Sequence, residues 1–388
     1  MKKSYIMTPG PVPISNEVLI EHGRPLMHHR SPEFSKIFAE VTDKLKKFMQ
    51  TTNDVFILTS SGTGAMEAAV TNTFSKGDKV LVVNAGNFGE RFKKISTTFG
   101  LNVISLDYEW GQSAIPSDIK KALDENPDIK GVMIQQSETS TGILNNIESV
   151  GKIVKNYPAI LIVDAISGIG ASEIKVDEWG LDIVCGGSQK AISAPTGIAF
   201  ISVSRKAWEM IEKSDIPKFY FSLNAAKKYA DKNPPQTPWT PGISIIVAMN
   251  KALDMFFEEG REKVYERHRV NALAVQKACE KLCLEMLVSD TASRGVSVTS
   301  IKVPEGIDGK LLTKTMRIKY GVTVAGGQGK LQGLIFRIGH LGYVGIFDVL
   351  VAIAALEFAL KEQGWKFELG TGTTEVQKIF FENNYMSE

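Results

Sequence analysis

The chain has 388 residues, enough for two or more domains with a large buried core. Hydrophobic residues make up 43% and charged residues 23%, as in ordinary globular proteins. The 45 basic and 43 acidic residues leave a formal net charge of +2, with no basic surplus for nucleic acid. No segment approaches the roughly 18 consecutive apolar residues of a membrane helix, and the N-terminus lacks the apolar stretch of a secretory signal. We therefore expect a cytoplasmic protein that binds neither nucleic acid nor membrane.

The cysteines support the same expectation. Cys185, Cys279 and Cys283 are too few and too irregularly spaced for a disulfide framework, which favours a reducing compartment. Cys279 and Cys283 lie four residues apart on a predicted helix, where buried packing is expected rather than metal binding. We predict no metal site.

Between about residues 54 and 205, short apolar runs alternate with amphipathic stretches. Continuous apolar strands separated by helices indicate a mostly parallel sheet that is covered by helices on both faces. Helices are predicted at 65–74 and 147–156 within this region. The seven predicted strands cover residues 55–58, 80–83, 103–106, 132–134, 160–163, 183–185 and 198–201.

The pattern changes after Pro241. A helical region at 243–284, with a break near Gly260, is followed by strands and helices that predict a smaller α+β domain. We divide the chain into an N-terminal arm (1–20), a large domain (21–255) and a small C-terminal domain (256–388). The tail from residue 370 has no predicted role. The later predicted elements are a strand at 296–301, a helix at 309–320, a strand at 335–338 and a helix at 346–361.

Two residues at predicted strand ends carry the chemistry. Asp164 ends one apolar run, and Lys190 follows the next run in a Gly-Gly-Ser-Gln-Lys turn. Ligands of such sheets lie beyond the carboxyl ends of the strands. The lysine amine can form a Schiff base with an aldehyde, and the carboxylate can keep a pyridine nitrogen protonated. Each residue alone also fits an ordinary turn or a solvated loop, but together they indicate an imine-forming cofactor enzyme.

The segment from Thr59 to Glu67 is rich in glycine and hydroxyl groups and joins a strand to a helix. Free N–H groups at a helix N-terminus, with the hydroxyls of Ser61 and Thr63, can bind a phosphate dianion. An ordinary Ser/Thr helix cap is the alternative. The segment fits neither GxGxxG nor GxxxxGK[ST], so a dinucleotide or triphosphate site is not expected.

Seven segments, taken together and in order, carry a resemblance to a known family. They resemble the class V aminotransferases, fold type I of the pyridoxal-phosphate enzymes, and within that family the alanine/serine–glyoxylate (serine–pyruvate) branch. The matching segments extend over about residues 8–342, nearly the whole chain. They are Pro9-Gly10-Pro11, residues 61–67, Glu138-Thr139-Ser140-Thr141-Gly142, residues 163–167, Gly187-Ser188-Gln189-Lys190, the Thr-Pro segment around Thr240, and Phe336-Arg337-Ile338-Gly339.

The resemblance implies pyridoxal 5′-phosphate as cofactor and a catalytic pair. Lys190 would form the Schiff base with the cofactor and later move the substrate Cα proton. Asp164 would pair with the protonated ring nitrogen, and Thr139 would hydrogen-bond near the ring 3′-oxygen. The other implied cofactor contacts of this subunit are Ser61, Gly62, Thr63 and Gln189 at the phosphate, Phe88 stacked on the ring, and Ile166.

Further implied roles concern the substrate and a second subunit. Arg337 would bind the substrate α-carboxylate with a bidentate fork. Thr240 would reach the phosphate of the neighbouring subunit in a homodimer. Two positions depart from many relatives: Phe88 replaces a frequent Trp, and Thr237 stands where some relatives place a Tyr on the same phosphate.

These roles predict an aminotransferase that moves an amino group from alanine or serine to glyoxylate or pyruvate. Small neutral donors are favoured because no second basic residue is evident for a distal acidic group. The open alternatives are 2-aminoethylphosphonate–pyruvate or pyridoxamine–pyruvate transamination and a non-catalytic subunit that retains the fold. A cysteine desulfurase is disfavoured because the Gly-rich loop 324–329 has no Cys, and a dehydrogenase because GxGxxG is absent.

Overall fold

The computed structural model describes residues 3–383 of the chain. Short β-strands alternate with helices along most of this length. The strands are β1 (Tyr5–Ile6), β2 (Asp54–Leu58), β3 (Lys79–Asn84), β4 (Asn102–Asp107), β5 (Ile129–Gln135), β6 (Ser137–Glu138), β7 (Ile143–Leu144), β8 (Ile160–Asp164), β9 (Ile183–Gly187), β10 (Ala199–Val203), β11 (Val298–Lys302), β12 (Val322–Thr323), β13 (Ala325–Gly326) and β14 (Ile335–Gly339).

The helices range from seven to 21 residues. Many begin at a Ser, Asn or Asp whose side chain caps the first turn, as Ser31 does for the second helix. The helices are α1 (Asn16–His22), α2 (Pro32–Met49), α3 (Gly62–Thr73), α4 (Asn87–Thr98), α5 (Pro116–Glu125), α6 (Ile147–Val154), α7 (Arg205–Ile211), α8 (Leu223–Ala230), α9 (Ile243–Glu259), α10 (Arg261–Lys281), α11 (Gly309–Tyr320), α12 (Ile346–Glu362) and α13 (Thr371–Glu382).

The main sheet has seven strands in the order β2-β10-β9-β8-β5-β3-β4. All seven predicted strands are present in it, and every pair is parallel except those that β10 makes with β2 and β9. One apolar core lies between one face and helices such as α2 and α9, and a second lies between the other face and helices such as α3 and α7. The predicted fold class, a mostly parallel sheet covered on both faces, is therefore confirmed.

The C-terminal part is built on a smaller antiparallel sheet, in the order β11-β14-β13. Its core includes residues of α10, α11, α12 and α13, as well as Met7 near the N-terminus. The arm also supplies β1, which pairs in parallel with β12. The predicted α+β character is confirmed, whereas the boundaries at residues 20 and 255 remain a prediction.

Some details differ from the sequence-based expectations. Cys279 is buried in α10 as expected, but Cys283 lies beyond the end of the helix, exposed and in a left-handed conformation (φ 57°). The unexplained tail forms α13, which packs against α10 and α12; residues 384–388 of that tail lie outside the described range. Across residues 3–383, no helix has both the length and the apolarity needed to cross a membrane.

Two buried histidines lie in α10 and directly after β14, and the first connects these two parts of the chain. His268 accepts a hydrogen bond from Gly342 N at Nε2 (2.9 Å), and its Nδ1 lies 2.7 Å from the Val264 carbonyl. This pairing fixes the neutral tautomer, because the carbonyl requires a proton on Nδ1 and the N–H requires a lone pair on Nε2. Burial lowers the pKa of His268 to about 3 and that of His340 to about 4.

We therefore expect the free energy of unfolding to fall as the pH drops below about 6.5. Between the unfolded and folded pKa values only the unfolded chain binds the proton, which costs up to about 1.4 kcal/mol per pH unit for each histidine. Urea unfolding at several pH values measures this slope. His268→Gln should flatten it. An equal slope in wild type and His268→Gln would contradict the assignment.

Candidate active site

The site lies at the carboxyl ends of three neighbouring strands. In the parallel ladder, Asp164 of β8 pairs with Gln135 of β5 on one side and with Cys185 of β9 on the other. Lys190 follows the end of β9 by three residues. The strand register therefore brings Asp164, the segment after β5 and the Lys190 turn to the same edge of the sheet.

Lys190 is held by the N-terminal arm. Its Nζ donates a hydrogen bond to the Pro9 carbonyl (2.5 Å). Gly10 has φ 124°, and a Cβ there would lie 2.6 Å from the same Nζ, so the approach requires glycine. Burial lowers the pKa of Lys190 to about 8; the Asp164 carboxylate opposes that shift, and the charges of Arg337 and Arg91 add to it. A neutral, nucleophilic amine is thus accessible near neutral pH.

Asp164 is a buried carboxylate with few partners. Its Oδ1 accepts a hydrogen bond from Ile166 N (3.0 Å). Burial is the largest cause that raises its pKa, to about 6, and the nearby Glu138 raises it further. A cationic group beside Asp164 would favour the ionised form.

Ile166, two residues after Asp164, packs against Gly62 at the start of α3 and lies near Gly187 at the end of β9. A Cβ at Gly62 would lie 2.4 Å from Ile166 Cδ1, and one at Gly187 would lie 3.4 Å from Ile166 Cγ2. Only glycine at position 62 permits this contact. The start of α3, the Asp164 segment and the Lys190 turn are therefore in contact through one side chain.

The start of α3 has the features of an anion site. Ser61 is the N-cap residue, but its side chain makes no capping hydrogen bond. The first N–H groups of a helix have no intrahelical acceptor and carry the positive end of the helix dipole. Nearby, the side-chain oxygen of Gln189 is buried without a partner. The free N–H groups suit an anion, whereas the unpartnered Gln189 oxygen suits a ligand atom that donates a hydrogen bond.

Arg91, for which no role was predicted, reaches the same region. Its Nη1 donates to the Thr63 hydroxyl (2.9 Å), and its guanidinium lies over the Phe88 ring, 4.6 Å from the centroid. Arg91 is three residues after Phe88 on α4, so the helical i,i+3 spacing could have indicated their contact.

Arg337 enters the site from β14. It is buried, and its Nη1 donates to the Thr139 carbonyl (2.8 Å), 198 residues away in the chain. Its Nε and Nη2 both donate to the Gly326 carbonyl (3.0 and 2.8 Å). Burial lowers its pKa to about 10, and the Glu138 carboxylate opposes that shift. Three of the five guanidinium donors are thus used for orientation, which leaves two for another acceptor.

Thr139 and Phe88 complete the set of residues within this chain. The Thr139 hydroxyl shares a short hydrogen bond with Ser167, which also donates to the Ser137 carbonyl (3.2 Å). Phe88, at the start of α4, is half-buried.

Thr240 differs from the other candidates, because it lies exposed in a shallow depression beside Thr59, Tyr220 and Trp239. None of the hydrogen bonds described for residues 3–383 joins it to Lys190.

Comparison with known proteins identifies the family. Residues 19–341 match the family model of the class-V aminotransferases. The chain is 44% identical to an uncharacterized aminotransferase of Methanocaldococcus jannaschii, over 97% of each chain. It is 40% identical to a protein of a Synechococcus strain named soluble hydrogenase, small subunit, over 97% of this chain and 98% of that one. It is also 34% identical to the serine–glyoxylate aminotransferase of Methylorubrum extorquens, over 98% and 97%.

A solved structure supports the same assignment. The ureidoglycine–glyoxylate aminotransferase of Bacillus subtilis superposes with a TM-score of 0.93 at 29% identity, covering 98% of this chain and 99% of that one. This chain therefore belongs to the class V aminotransferase family, with the fold type I architecture. The resemblance first seen in the short motifs is confirmed over nearly the whole chain.

Proposed function

We propose that this protein is a pyridoxal-phosphate-dependent aminotransferase that moves an amino group from alanine or serine to glyoxylate or pyruvate. The observation that carries the proposal is the convergence of three groups. Lys190 has a lowered pKa, Asp164 ends the neighbouring strand, and the oriented Arg337 lies beside Thr139. An amine, a ring-nitrogen partner and a carboxylate anchor are the groups that transamination of an α-amino acid needs.

Features at the two ends of the site fit pyridoxal phosphate. Asp164 has a raised pKa because it is buried, so a protonated ring nitrogen would supply the cation it lacks. The open first turn of α3, with Ser61, Gly62 and Thr63, would hold the phosphate, together with the side-chain N–H group of Gln189. Phe88, Thr139 and Ile166 would contact the ring.

When bound, pyridoxal phosphate supplies an electron sink for negative charge at the substrate Cα. Lys190 would hold the cofactor and could take the substrate Cα proton, because burial lowers its pKa and leaves a neutral fraction near pH 7. Arg337 orients the α-carboxylate with its two remaining donors. The buried surroundings exclude water from these charged contacts.

Small neutral donors fit the electrostatics best. Arg91 is a second cation in the site, but its contacts with Thr63 and Phe88 already engage it. The relative from Methylorubrum extorquens is named for serine and glyoxylate. The Synechococcus relative is named as a hydrogenase subunit, which makes a non-catalytic role the competing hypothesis. Lys190, Asp164 and Arg337 together favour catalysis.

The cytoplasm is the proposed location. Cys185 and Cys279 are buried, Cys283 is exposed, and all three are free thiols. Unpaired cysteines are typical of a reducing compartment.

Lys190→Ala should abolish the yellow colour that pyridoxal phosphate gives to the wild-type protein and lower turnover by about 100-fold or more, because the amine and the base are the same group. Borohydride reduction followed by mass spectrometry should place the cofactor mass on the Lys190 peptide. Lys218, whose pKa burial also lowers, provides the control: Lys218→Ala should keep both colour and turnover. Cofactor attachment that persists in Lys190→Ala would refute the proposal.

Arg337→Lys should raise KM for every α-carboxylate substrate by about 10-fold or more, since an ammonium group cannot reproduce the planar fork. Steady-state kinetics with alanine, serine, glyoxylate and pyruvate measure this effect. Arg205→Lys, at a side chain that is 96% exposed, is the matched control. An unchanged KM would move the carboxylate site elsewhere.

A homodimer in which Thr240 contacts the partner's cofactor phosphate completes the proposal. Thr240 is exposed and lies next to a cluster of aromatic rings, with Phe219 and Trp239 centroids 4.8 Å apart and Phe219 77% exposed. Exposed aromatic side chains of this kind are typical of protein–protein interfaces.

Co-expression of Lys190→Ala with Thr240→Glu tests the shared site. Each variant alone should be impaired, because one lacks the amine and the other places a carboxylate at the phosphate. In a mixed dimer one site regains both Lys190 and Thr240, so random assembly should restore about a quarter of the wild-type sites. No recovery in purified mixed dimers would show that Thr240 does not act across the interface.

A further inference from the structure

Glu138 is a buried carboxylate at the centre of the site. It is fully buried in β6, and four donors converge on it. Phe88 N and Gly89 N each donate to Oε2 (3.0 Å), and Ser140 N and its hydroxyl donate to Oε1 (3.2 and 2.5 Å). Burial raises the pKa of Glu138, and the hydrogen bonds from all four donors oppose that shift. An ionised carboxylate, which has only acceptors, fits this set of donors.

These contacts make Glu138 the cap of a distant helix. Gly86, the N-cap residue of α4, has no side chain to satisfy the first N–H groups. A Cβ at Gly86 would lie 2.4 Å from Glu138 Cδ, so glycine at this position lets the carboxylate approach the helix end. Negative charge at a helix N-terminus is favourable. The orientation of α4, and with it Phe88, therefore depends on Glu138.

The neighbours of Glu138 include residues to which we assign contacts with the cofactor and the substrate. The next residue, Thr139, accepts a hydrogen bond from Arg337 through its carbonyl (2.8 Å). The charge of Glu138 also acts on Arg337, where it opposes the effect of burial on the pKa, and on Asp164, where it raises the pKa. The Glu138 carboxylate thus contacts the start of α4, which carries Phe88, and lies close to both Asp164 and Arg337.

Resting on the proposed function, we infer that Glu138 is a positioning residue for transamination: it fixes Phe88 and Thr139 on the cofactor ring and supplies the buried negative charge that faces Arg337. It does not itself contact the reacting atoms. A role confined to helix capping would stabilise the fold but leave cofactor affinity and substrate KM unaffected in a variant that folds.

Glu357 provides a matched control within the chain. It is also buried, and its carboxylate accepts hydrogen bonds from Gly370 N (3.0 Å), Gly372 N (2.5 Å) and Thr373 N (3.3 Å) at the start of α13. Its chemistry is therefore similar to that of Glu138, but none of its partners is a residue of the candidate site. Glu→Gln at either position keeps the side-chain size and turns an NH₂ group toward backbone donors.

The experiment compares wild type, Glu138→Gln and Glu357→Gln after the bound cofactor has been removed and the proteins titrated with pyridoxal phosphate. Both variants should lose thermal stability. Only Glu138→Gln should weaken cofactor binding by about 10-fold or more, change the visible circular dichroism of the bound cofactor and raise KM for α-carboxylate substrates. Glu138→Asp, which keeps the charge but shortens the side chain, should give intermediate values and serves if Glu138→Gln does not fold.

Three outcomes would separate the hypotheses. Wild-type cofactor affinity, dichroism and KM in a folded Glu138 variant would overturn the positioning role. Equal losses of affinity in the Glu138 and Glu357 variants would overturn it too, because they would reflect general destabilisation. If wild type itself binds no pyridoxal phosphate, it is the proposed function that fails.

Discussion

The parallel register of β5, β8 and β9 is the constraint on which the rest of the site depends. Parallel strands end at a common edge of the sheet. Asp164 and the turns that carry Thr139 and Lys190 therefore meet there, although they are separated along the chain. A slip of one residue in β8 would turn Asp164 to the opposite face of the sheet. Both faces of that strand are packed into apolar cores, so a slip would require the side chains of both cores to repack.

Backbone carbonyls orient the two basic residues of the site. Arg337 is oriented by the carbonyls of Gly326 and Thr139, and Lys190 by that of Pro9. These acceptors belong to the Gly-rich loop, the segment after β5 and the N-terminal arm. The site therefore joins distant parts of the chain, and it forms only when the large sheet and the C-terminal elements are both folded.

The sequence predicted the large elements well and the tertiary contacts poorly. Apolar runs located all seven strands of the main sheet, but periodicity carries no strand direction, so the antiparallel β10 was not foreseen. Two-residue strands such as β1 depend on their partner rather than on propensity. Strand ends and turn composition indicated Asp164 and Lys190, and the other site roles came largely from a resemblance of motifs. Arg91 and Glu138 received no role, because their contacts join segments 28 and about 50 residues apart.

The contact between Lys190 and the arm has a consequence for mutational tolerance. The acceptor is the main chain of Pro9, which every amino acid possesses, so replacing the Pro9 side chain leaves the acceptor atom in place. Any side chain at Gly10, however, would collide with the amine and would need a left-handed backbone. Substitution of Gly10 should therefore disrupt this hydrogen bond more than substitution of Pro9, whose carbonyl accepts it.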